Sequence, residues 1–132
     1  GMSQAVIGGH QETLDGGAES ARRILEAGGR LGMGGDYGFA WNPHGDYAKE
    51  LSFFVDFVGL KPLDVLKCAT KTGAEITGRD EEFGTLEVGK LADVLVVDGD
   101  VAGDISLLQD RSRFLAVMQG GVVKCGQIAN AV

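Results

Sequence analysis

The spacing of apolar residues changes near Gly78, and this change restricts the fold more than any other feature of the sequence. Before Gly78, apolar residues recur at helical intervals, as in the segment 47–58, which is typical of helices with one buried face. After Gly78, short apolar runs such as Val94 to Val97 stand between turn residues, which is typical of strands. We therefore predict an α/β segment up to about residue 78 and a β segment after it, without an internal repeat.

The first αβ unit is predicted from residues 15 to 38. A helix over 16–27 has Asp15 as its N-cap and ends at a glycine pair. Residues 30–34 alternate in character and are predicted as a short strand, which leads into the loop Gly35-Asp36-Tyr37-Gly38. The order helix, tight turn, strand and loop is that of one αβ unit.

Further helices are predicted before residue 78. One begins near Asp46 and stops at Gly59, because its apolar residues keep helical spacing between these points. Pro62 suits the first turn of a third helix. A short fourth helix over 72–77 is ended by Gly78.

The second segment is predicted to be a small sheet. The run 94–97 forms a strand, and the run 114–118 pairs with 122–125 as a hairpin. Between these two runs, Gln119-Gly120-Gly121 supplies the turn, because glycine reaches positive φ without steric cost.

Length and composition exclude several classes of protein. The 132 residues fit one domain and fall well below the roughly 250 of a closed (β/α)₈ barrel, so any barrel is partial. With 44% hydrophobic and 23% charged residues, the chain has enough apolar material for a core. Its net charge of -7 and its lack of a Lys/Arg cluster argue against nucleic acid and membrane surfaces as partners.

Compartment and thiol chemistry are also indicated. Residues 1–4 lack the basic and apolar regions of a signal peptide, and no apolar run approaches the ~20 residues of a membrane span, so we expect a cytoplasmic protein. Cys68 and Cys125 stand apart in sequence, which favours two buried or partly buried free thiols over a disulfide or a metal site.

The strongest local signal for chemistry is the segment 33–38, in which Asp36 is surrounded by glycines directly after the predicted strand. Catalytic groups collect at such strand ends in barrels and open α/β folds, where a carboxylate serves as a metal ligand or general base. From spacing alone, a turn-capping role for Asp36 is favoured over a catalytic one.

A family resemblance follows from several motifs in their order. The segment 31–36, then Asn42-Pro43-His44-Gly45, then a helix with Glu50-Leu51 resembles the last barrel strand and following loop of amidohydrolase-superfamily enzymes. Nearest are imidazolonepropionases and Xaa-Pro or Xaa-Arg/Lys dipeptidases. The segment 84–94 and the hairpin with Gly120-Gly121 resemble this family's small β-sandwich. The resemblance implies an α/β fold: residues 1–78 are the C-terminal part of a TIM-barrel-like domain (last αβ unit and following helices), and 79–132 a β-sandwich portion.

The resemblance also implies roles for single residues. Asp36 corresponds to the aspartate after the eighth barrel strand, which in this family ligates a divalent metal, orients the attacking hydroxide and carries its proton to the leaving group. His44 is implied to bind substrate or to fix the loop. Tyr37, Phe39 and Trp41 are implied to line the pocket mouth, or simply to pack.

The sequence departs from the family in its metal ligands. The His-x-His pair, the Lys or Glu and the two further histidines of the family site have no counterpart, and His10 and His44 do not form the pair. A catalytic zinc needs about three protein ligands. We therefore expect a divalent metal, zinc by preference, in the complete enzyme and none bound by this chain alone. The chain is interpreted as a fragment of a hydrolase of C–N bonds in small amides or dipeptides, inactive in isolation.

Two other functions were weighed. A nucleotide-binding loop fails because Tyr37 stands where the third glycine is required and no helix opens directly after it. A non-catalytic oligomerisation or interaction module derived from an amidohydrolase is the main alternative. Uncovered strand edges and apolar helix faces recruit partners, so we expect a homo-oligomer.

Overall fold

The computed structural model describes residues 4–40 and 42–130. The first helix, α1, runs from Gln4 to Glu26 and so begins well before the predicted residue 16. Asp15 is not an N-cap: its carboxylate accepts a hydrogen bond from the Gln11 side chain one turn earlier, at 2.9 Å. The helix continues through Gly16 and Gly17 because glycine lowers helix stability without blocking the helical backbone.

The predicted strand over residues 30–34 does not form, and this segment is loop. A strand requires a neighbour that pairs with its backbone, and no described residue pairs with this segment. The N–H of Gly34 instead donates to the side chain of Glu50. The αβ unit of the prediction is therefore a helix followed by a loop.

Two helical runs follow. The first comprises α2 (Ala48–Phe53) and a π-helical turn (Phe54–Val58), and it stops at Gly59, whose φ is 85°. The second comprises α3 (Pro62–Lys67), a π-helical turn (Cys68–Thr72) and α4 (Gly73–Ile76). Pro62 in the first turn of α3 confirms its prediction, whereas the third and fourth helices are one continuous run.

Gly78 ends this run in the way the sequence indicates. Its φ is 68°, the Gly78 N–H donates to the Glu75 carbonyl, and the Arg79 N–H donates to the Ala74 carbonyl. These contacts satisfy carbonyls that have no partner inside the helix, and they need a residue that tolerates a left-handed backbone.

The C-terminal segment contains one antiparallel sheet in the order β1-β2-β3. Its strands are β1 (Val94–Val97), β2 (Phe114–Gln119) and β3 (Val122–Cys125), with short 3₁₀ turns at Ile105–Gln109, Arg111–Arg113 and Gln127–Asn130. The hairpin turn is confirmed: Gly120 and Gly121 have φ of 56° and 81°, as a two-residue type I′ turn requires. The described residues form a mixed helical and antiparallel fold with this single sheet, so the β-sandwich stays a prediction.

One hydrophobic cluster joins the two segments. Its buried members are Val65 from α3 and Ile105 and Leu108 from the 3₁₀ turn. Partly buried residues from both sides of Gly78 pack around them, including Met33, Leu51, Phe54, Val97 and Phe114. The helices and the sheet region are therefore stabilised together, and the domain boundary at residue 78 stays a prediction.

Both cysteines are free, as predicted, but only Cys68 is buried. Cys125 is exposed because β3 lies at the sheet edge and all four of its residues are exposed. Within the described ranges, no helix is both long enough and apolar enough to cross a membrane.

Candidate active site

Asp36 has an unusual backbone conformation. Its φ is 47°, and it is the one described non-glycine residue with positive φ. This left-handed region is sparsely populated by residues with a side chain, although aspartate tolerates it better than most. The Asp36 side chain is exposed, and its carboxylate accepts no hydrogen bond from the described residues. The residue is thus held by its backbone while its carboxylate remains available.

Glu50 in α2 contacts the loop that carries Asp36, here termed the Asp36 loop (residues 34–38). Glu50 Oε1 accepts a hydrogen bond from the Gly34 N–H at 2.8 Å, and Oε2 lies 3.3 Å from the Tyr37 hydroxyl. The same hydroxyl lies 3.2 Å from the Tyr47 carbonyl, and the rings of Tyr37 and Tyr47 meet edge to face with centroids 4.6 Å apart. Partial burial, and after it the Glu50 charge, raises the pKa of Tyr37, so this phenol remains a proton donor.

Asn42 holds the loop from its other side. Its side-chain amide donates to the carbonyl of Gly35 and, at 3.3 Å, to the carbonyl of Asp36. The backbones of Phe39 and Asn42 form an isolated bridge, and the Gly38 N–H donates to the Asn42 carbonyl at 3.0 Å. The chain therefore folds back on itself directly after Asp36.

Asp36 lies on the wall of an open cavity of ≈ 730 Å³. One wall is the Asp36 loop and the other is α2, and three phenylalanines supply apolar surface beside three carboxylates. The lining residues are Gly35, Asp36, Tyr37, Phe39, Asn42, Asp46, Lys49, Glu50, Phe53 and Phe54. Apolar surface with a few convergent polar groups is the usual character of a small-molecule site.

Of the other predicted site residues, Tyr37 and Phe39 line this cavity. His44 does not: its Nδ1 lies 3.2 Å from the Tyr47 hydroxyl, and its ring approaches the backbone of Gly38. These contacts favour the loop-fixing interpretation of His44, and a substrate contact stays a prediction. Trp41 lies outside the described residues.

The region after residue 78 contacts the segment that follows the Asp36 loop. Arg111 donates a hydrogen bond from its guanidinium to the Gly45 carbonyl, and Gln109 donates to the Ser52 hydroxyl at 2.7 Å. A second open cavity of ≈ 640 Å³ lies between these segments and is lined by both. The loop that follows Asp36 is therefore anchored to α2 and to the 3₁₀ turns of the C-terminal segment.

The donor set was compared with the needs of a divalent metal. The Asp36 carboxylate is exposed and accepts no hydrogen bond from the described residues. It can therefore serve as one hard oxygen ligand of a divalent metal. In the part of the chain that the structure describes, no group of three or more His, Cys, Asp or Glu is arranged to hold a metal. A catalytic zinc needs about three protein ligands and an open position. The described residues therefore fit one ligand of a metal and not a complete metal site.

Two residues of this arrangement were missed by the interpretation of the sequence. In the sequence, Glu50 and Asn42 were seen only as parts of the family motifs. A faint signal existed, since Asn42 directly precedes a Pro-His-Gly turn and Glu50 is a carboxylate on the helix that follows the loop. Their partners, Gly34, Gly35 and Tyr37, are defined only by the tertiary structure.

The chain is similar in sequence to known proteins. Residues 10–129 match the sequence model described as Amidohydrolase family. An imidazolonepropionase of Symbiobacterium thermophilum is 38% identical over 81 residues, which cover 58% of this chain and 18% of that protein. An imidazolonepropionase of Thermoanaerobacter pseudethanolicus is 29% identical over 98 residues, which cover 74% of this chain and 24% of that protein.

Solved structures agree with these relatives. A. niger ochratoxinase superimposes with a TM-score of 0.78 at 26% identity, over 96% of this chain and 29% of that one. A Xaa-Pro dipeptidase with bound methionine in its active site superimposes with a TM-score of 0.72 at 28% identity, over 83% of this chain and 25% of that one. The chain thus spans about a fifth to a quarter of the length of the curated relatives, and 25–29% of these structures.

Proposed function

The chain belongs to the amidohydrolase family, and from that premise we propose that it supplies the Asp36 wall of an active site that hydrolyses C–N bonds in small amides or dipeptides. This proposal rests on the backbone conformation of Asp36 and on the hydrogen bonding of its carboxylate. Its backbone is held in a left-handed conformation on a cavity wall, and no described residue donates a hydrogen bond to its carboxylate. A carboxylate that only capped a turn would bond to nearby backbone N–H groups.

We further propose that polypeptide outside these 132 residues completes the site. The Asp36 carboxylate accepts no hydrogen bond from the described residues and can serve as one metal ligand, whereas both oxygens of Glu50 already lie against hydrogen-bond donors. No group of three or more ligands is arranged to hold a metal among the described residues. The match to 18% of one relative and 24% of another supports the same view. In this proposal the isolated chain is a fragment without hydrolytic activity, and the small sheet after residue 78 is part of a β-sandwich.

The proposed chemistry assigns one function to each group. A bound divalent metal, zinc by preference, would polarise the amide carbonyl and acidify a water molecule. Asp36 would bind the metal, accept the proton of the attacking water and deliver it to the leaving nitrogen, as a general base and then a general acid. The phenylalanine surface and the Tyr37 side chain would contact the substrate around the reacting bond. Trp41 and His44 are proposed as further substrate contacts.

The proposal is tested on the 132-residue chain and on the full translation product of its gene. Zinc content and hydrolysis of imidazolonepropionate and of Xaa-Pro dipeptides are measured for each. We expect neither bound zinc nor hydrolysis from the chain alone, and we expect both from the full product. There, Asp36→Asn should lower kcat by about 10²–10⁴-fold. The matched control is Asp46→Asn, which removes a carboxylate from the same cavity.

Three outcomes would overturn it. Hydrolysis by the chain alone would show that no further polypeptide is needed. Activity that survives Asp36→Asn, or falls equally in Asp46→Asn, would remove the assigned role of Asp36. A full gene product without a His-x-His strand would remove the metal site.

A second candidate, the oligomerisation module, has its own supporting observation. Several apolar side chains are strongly exposed, with exposed fractions of 78% for Leu86, 108% for Val88 and 57% for Val122. Exposed apolar surface of this kind favours association. We expect a homo-oligomer in sedimentation at micromolar concentration, and a monomer there would contradict this candidate.

A further inference from the structure

One side chain contacts the Asp36 loop on both sides of Asp36. Glu50 Oε1 accepts from the N–H of Gly34, two residues before Asp36, at 2.8 Å. Glu50 Oε2 lies 3.3 Å from the hydroxyl of Tyr37, the residue after Asp36. Because α2 carries Glu50, these bonds fasten the loop to a helix and not to another loop.

The backbone between these contacts needs such support. Asp36 has a φ of 47°, and a side chain disfavours this conformation unless the surroundings hold it. Asn42 contributes through the carbonyls of Gly35 and Asp36. Those bonds fix carbonyl oxygens, whereas Glu50 fixes the N–H of Gly34 and the side chain of Tyr37.

The packing at Gly35 shows how closely Glu50 approaches the loop. A Cβ added at Gly35 would lie 2.5 Å from the Tyr37 ring and 2.9 Å from Glu50 Oε2. A side chain at position 35 would therefore displace the phenol or the carboxylate. Gly34, by contrast, has no atom within 4 Å of an added Cβ, so the crowding is confined to the side of Gly35 that faces Glu50.

Glu50 and Asp36, two of the three carboxylates that line this cavity, thus differ in their bonding. Both oxygens of Glu50 lie within hydrogen-bond distance of loop donors, and the Asp36 carboxylate has no such donor among the described residues. We infer that Glu50 is a positioning residue, which holds the Asp36 loop in its left-handed conformation so that the Asp36 carboxylate faces the cavity. This inference deepens the proposed function and rests on it for the role of Asp36.

The test measures the loop directly in the ¹⁵N-labelled 132-residue chain. In Glu50→Ala, the Gly34 amide proton should move upfield, and hydrogen exchange at residues 34–37 should accelerate by about threefold to tenfold, since one acceptor is lost. Glu50→Gln keeps an acceptor oxygen for Gly34 and should restore most of the protection. Rescue by the amide would distinguish a hydrogen-bonding role from a general effect of the residue on α2.

The control is Asp56→Ala, which removes an exposed carboxylate from the π-helical turn that continues α2. It should leave residues 34–37 unchanged. Unchanged exchange at residues 34–37 in Glu50→Ala, or an equal change in Asp56→Ala, would overturn the inference. If Glu50→Ala does not fold, Glu50→Gln serves as the test. An unshifted Gly34 amide proton in that variant would contradict the hydrogen bond from Gly34 to a charged carboxylate.

Kinetics of the full gene product separate this inference from the proposed function. Glu50→Ala should lower kcat by about tenfold or more with a smaller change in KM, because the substrate-binding surface remains. Activity that depends on Asp36 but not on Glu50 would refute the positioning role alone. If the loop loosens in Glu50→Ala but the activity does not depend on Asp36, only the proposed function is refuted.

Discussion

The Asp93 carboxylate accepts a hydrogen bond from the backbone N–H of Gly120 at 2.7 Å, across 27 residues of sequence. The next amide, that of Gly121, donates to the Ala92 carbonyl at 3.0 Å. The start of β1 is thereby fastened to the turn between β2 and β3. Asp93 belongs to the segment 84–94, which resembles the amidohydrolase family, and its contact is structural.

Removal of this contact should loosen the hairpin. In Asp93→Ala, the Gly120 N–H loses its acceptor, and we expect a loss of about 1 kcal/mol in the free energy of unfolding. Asp93→Asn keeps an acceptor oxygen and should retain most of the stability. Urea unfolding followed by circular dichroism measures both variants. Equal stability of Asp93→Ala and the wild type would contradict the assignment.

Alanine at Gly35 should disturb the site, whereas alanine at Gly34 should not. The added methyl at Gly35 meets the Tyr37 ring at 2.5 Å, and the added methyl at Gly34 meets nothing within 4 Å. Overpacking of this kind costs about 1–3 kcal/mol. Unfolding by urea gives the stabilities, and NMR shifts at Tyr37 report the local change. If Gly35→Ala leaves both unaffected, the loop is less tightly packed than described.

The two thiols should differ in reactivity. Cys125 is exposed, while burial, followed by the charge of Asp64, raises the pKa of the Cys68 thiol. At about pH 8, a disulfide reagent should label one thiol rapidly and the second only on unfolding. Cys125→Ser should abolish the rapid phase and Cys68→Ser should retain it. A rapid phase that survives Cys125→Ser would show that Cys68 is accessible.

Two aspartates should make stability depend on acidity. Hydrogen bonds from Ser106 and Ser112 lower the pKa of Asp104 and Asp110, respectively, below the ordinary value. A lowered folded-state pKa gives stability that is present above the unfolded-state pKa and is lost as the pH falls through the folded-state pKa. The melting temperature of Asp104→Ala should therefore lie below that of the wild type near neutral pH, and the difference should shrink below about pH 4. A difference that stays constant over this range would contradict the role of the Ser106 hydrogen bonds.

Local backbone energetics made some features predictable. The stops at Gly59 and Gly78, the start at Pro62 and the turn at Gly120 each depend on a few consecutive residues. Glycine reaches positive φ and proline has a fixed φ in any surroundings, so these positions were assigned correctly. The start of α1 was not, because Asp15 bonds to a side chain within the helix.

The strand prediction failed because a strand must pair with another segment of the chain. The strand over residues 30–34 has no pairing neighbour among the described residues, and its Gly34 amide is bound by Glu50, 16 residues away. The family motifs identified Asp36 as a candidate from the sequence. They gave only a faint indication that Glu50 and Asn42 hold the Asp36 loop, since neither contact leaves a periodic signal.

From the sequence alone came the helix stops at Gly59 and Gly78, the hairpin turn, the family resemblance and the candidate carboxylate, because each is carried by a short run of consecutive residues. The tertiary structure alone decided that Glu50 faces the Asp36 loop, that Asp93 fastens the hairpin turn and that one core joins α3 to the region after residue 78. Those relationships depend on which distant segments lie side by side, and that arrangement follows from burying apolar surface across the whole chain.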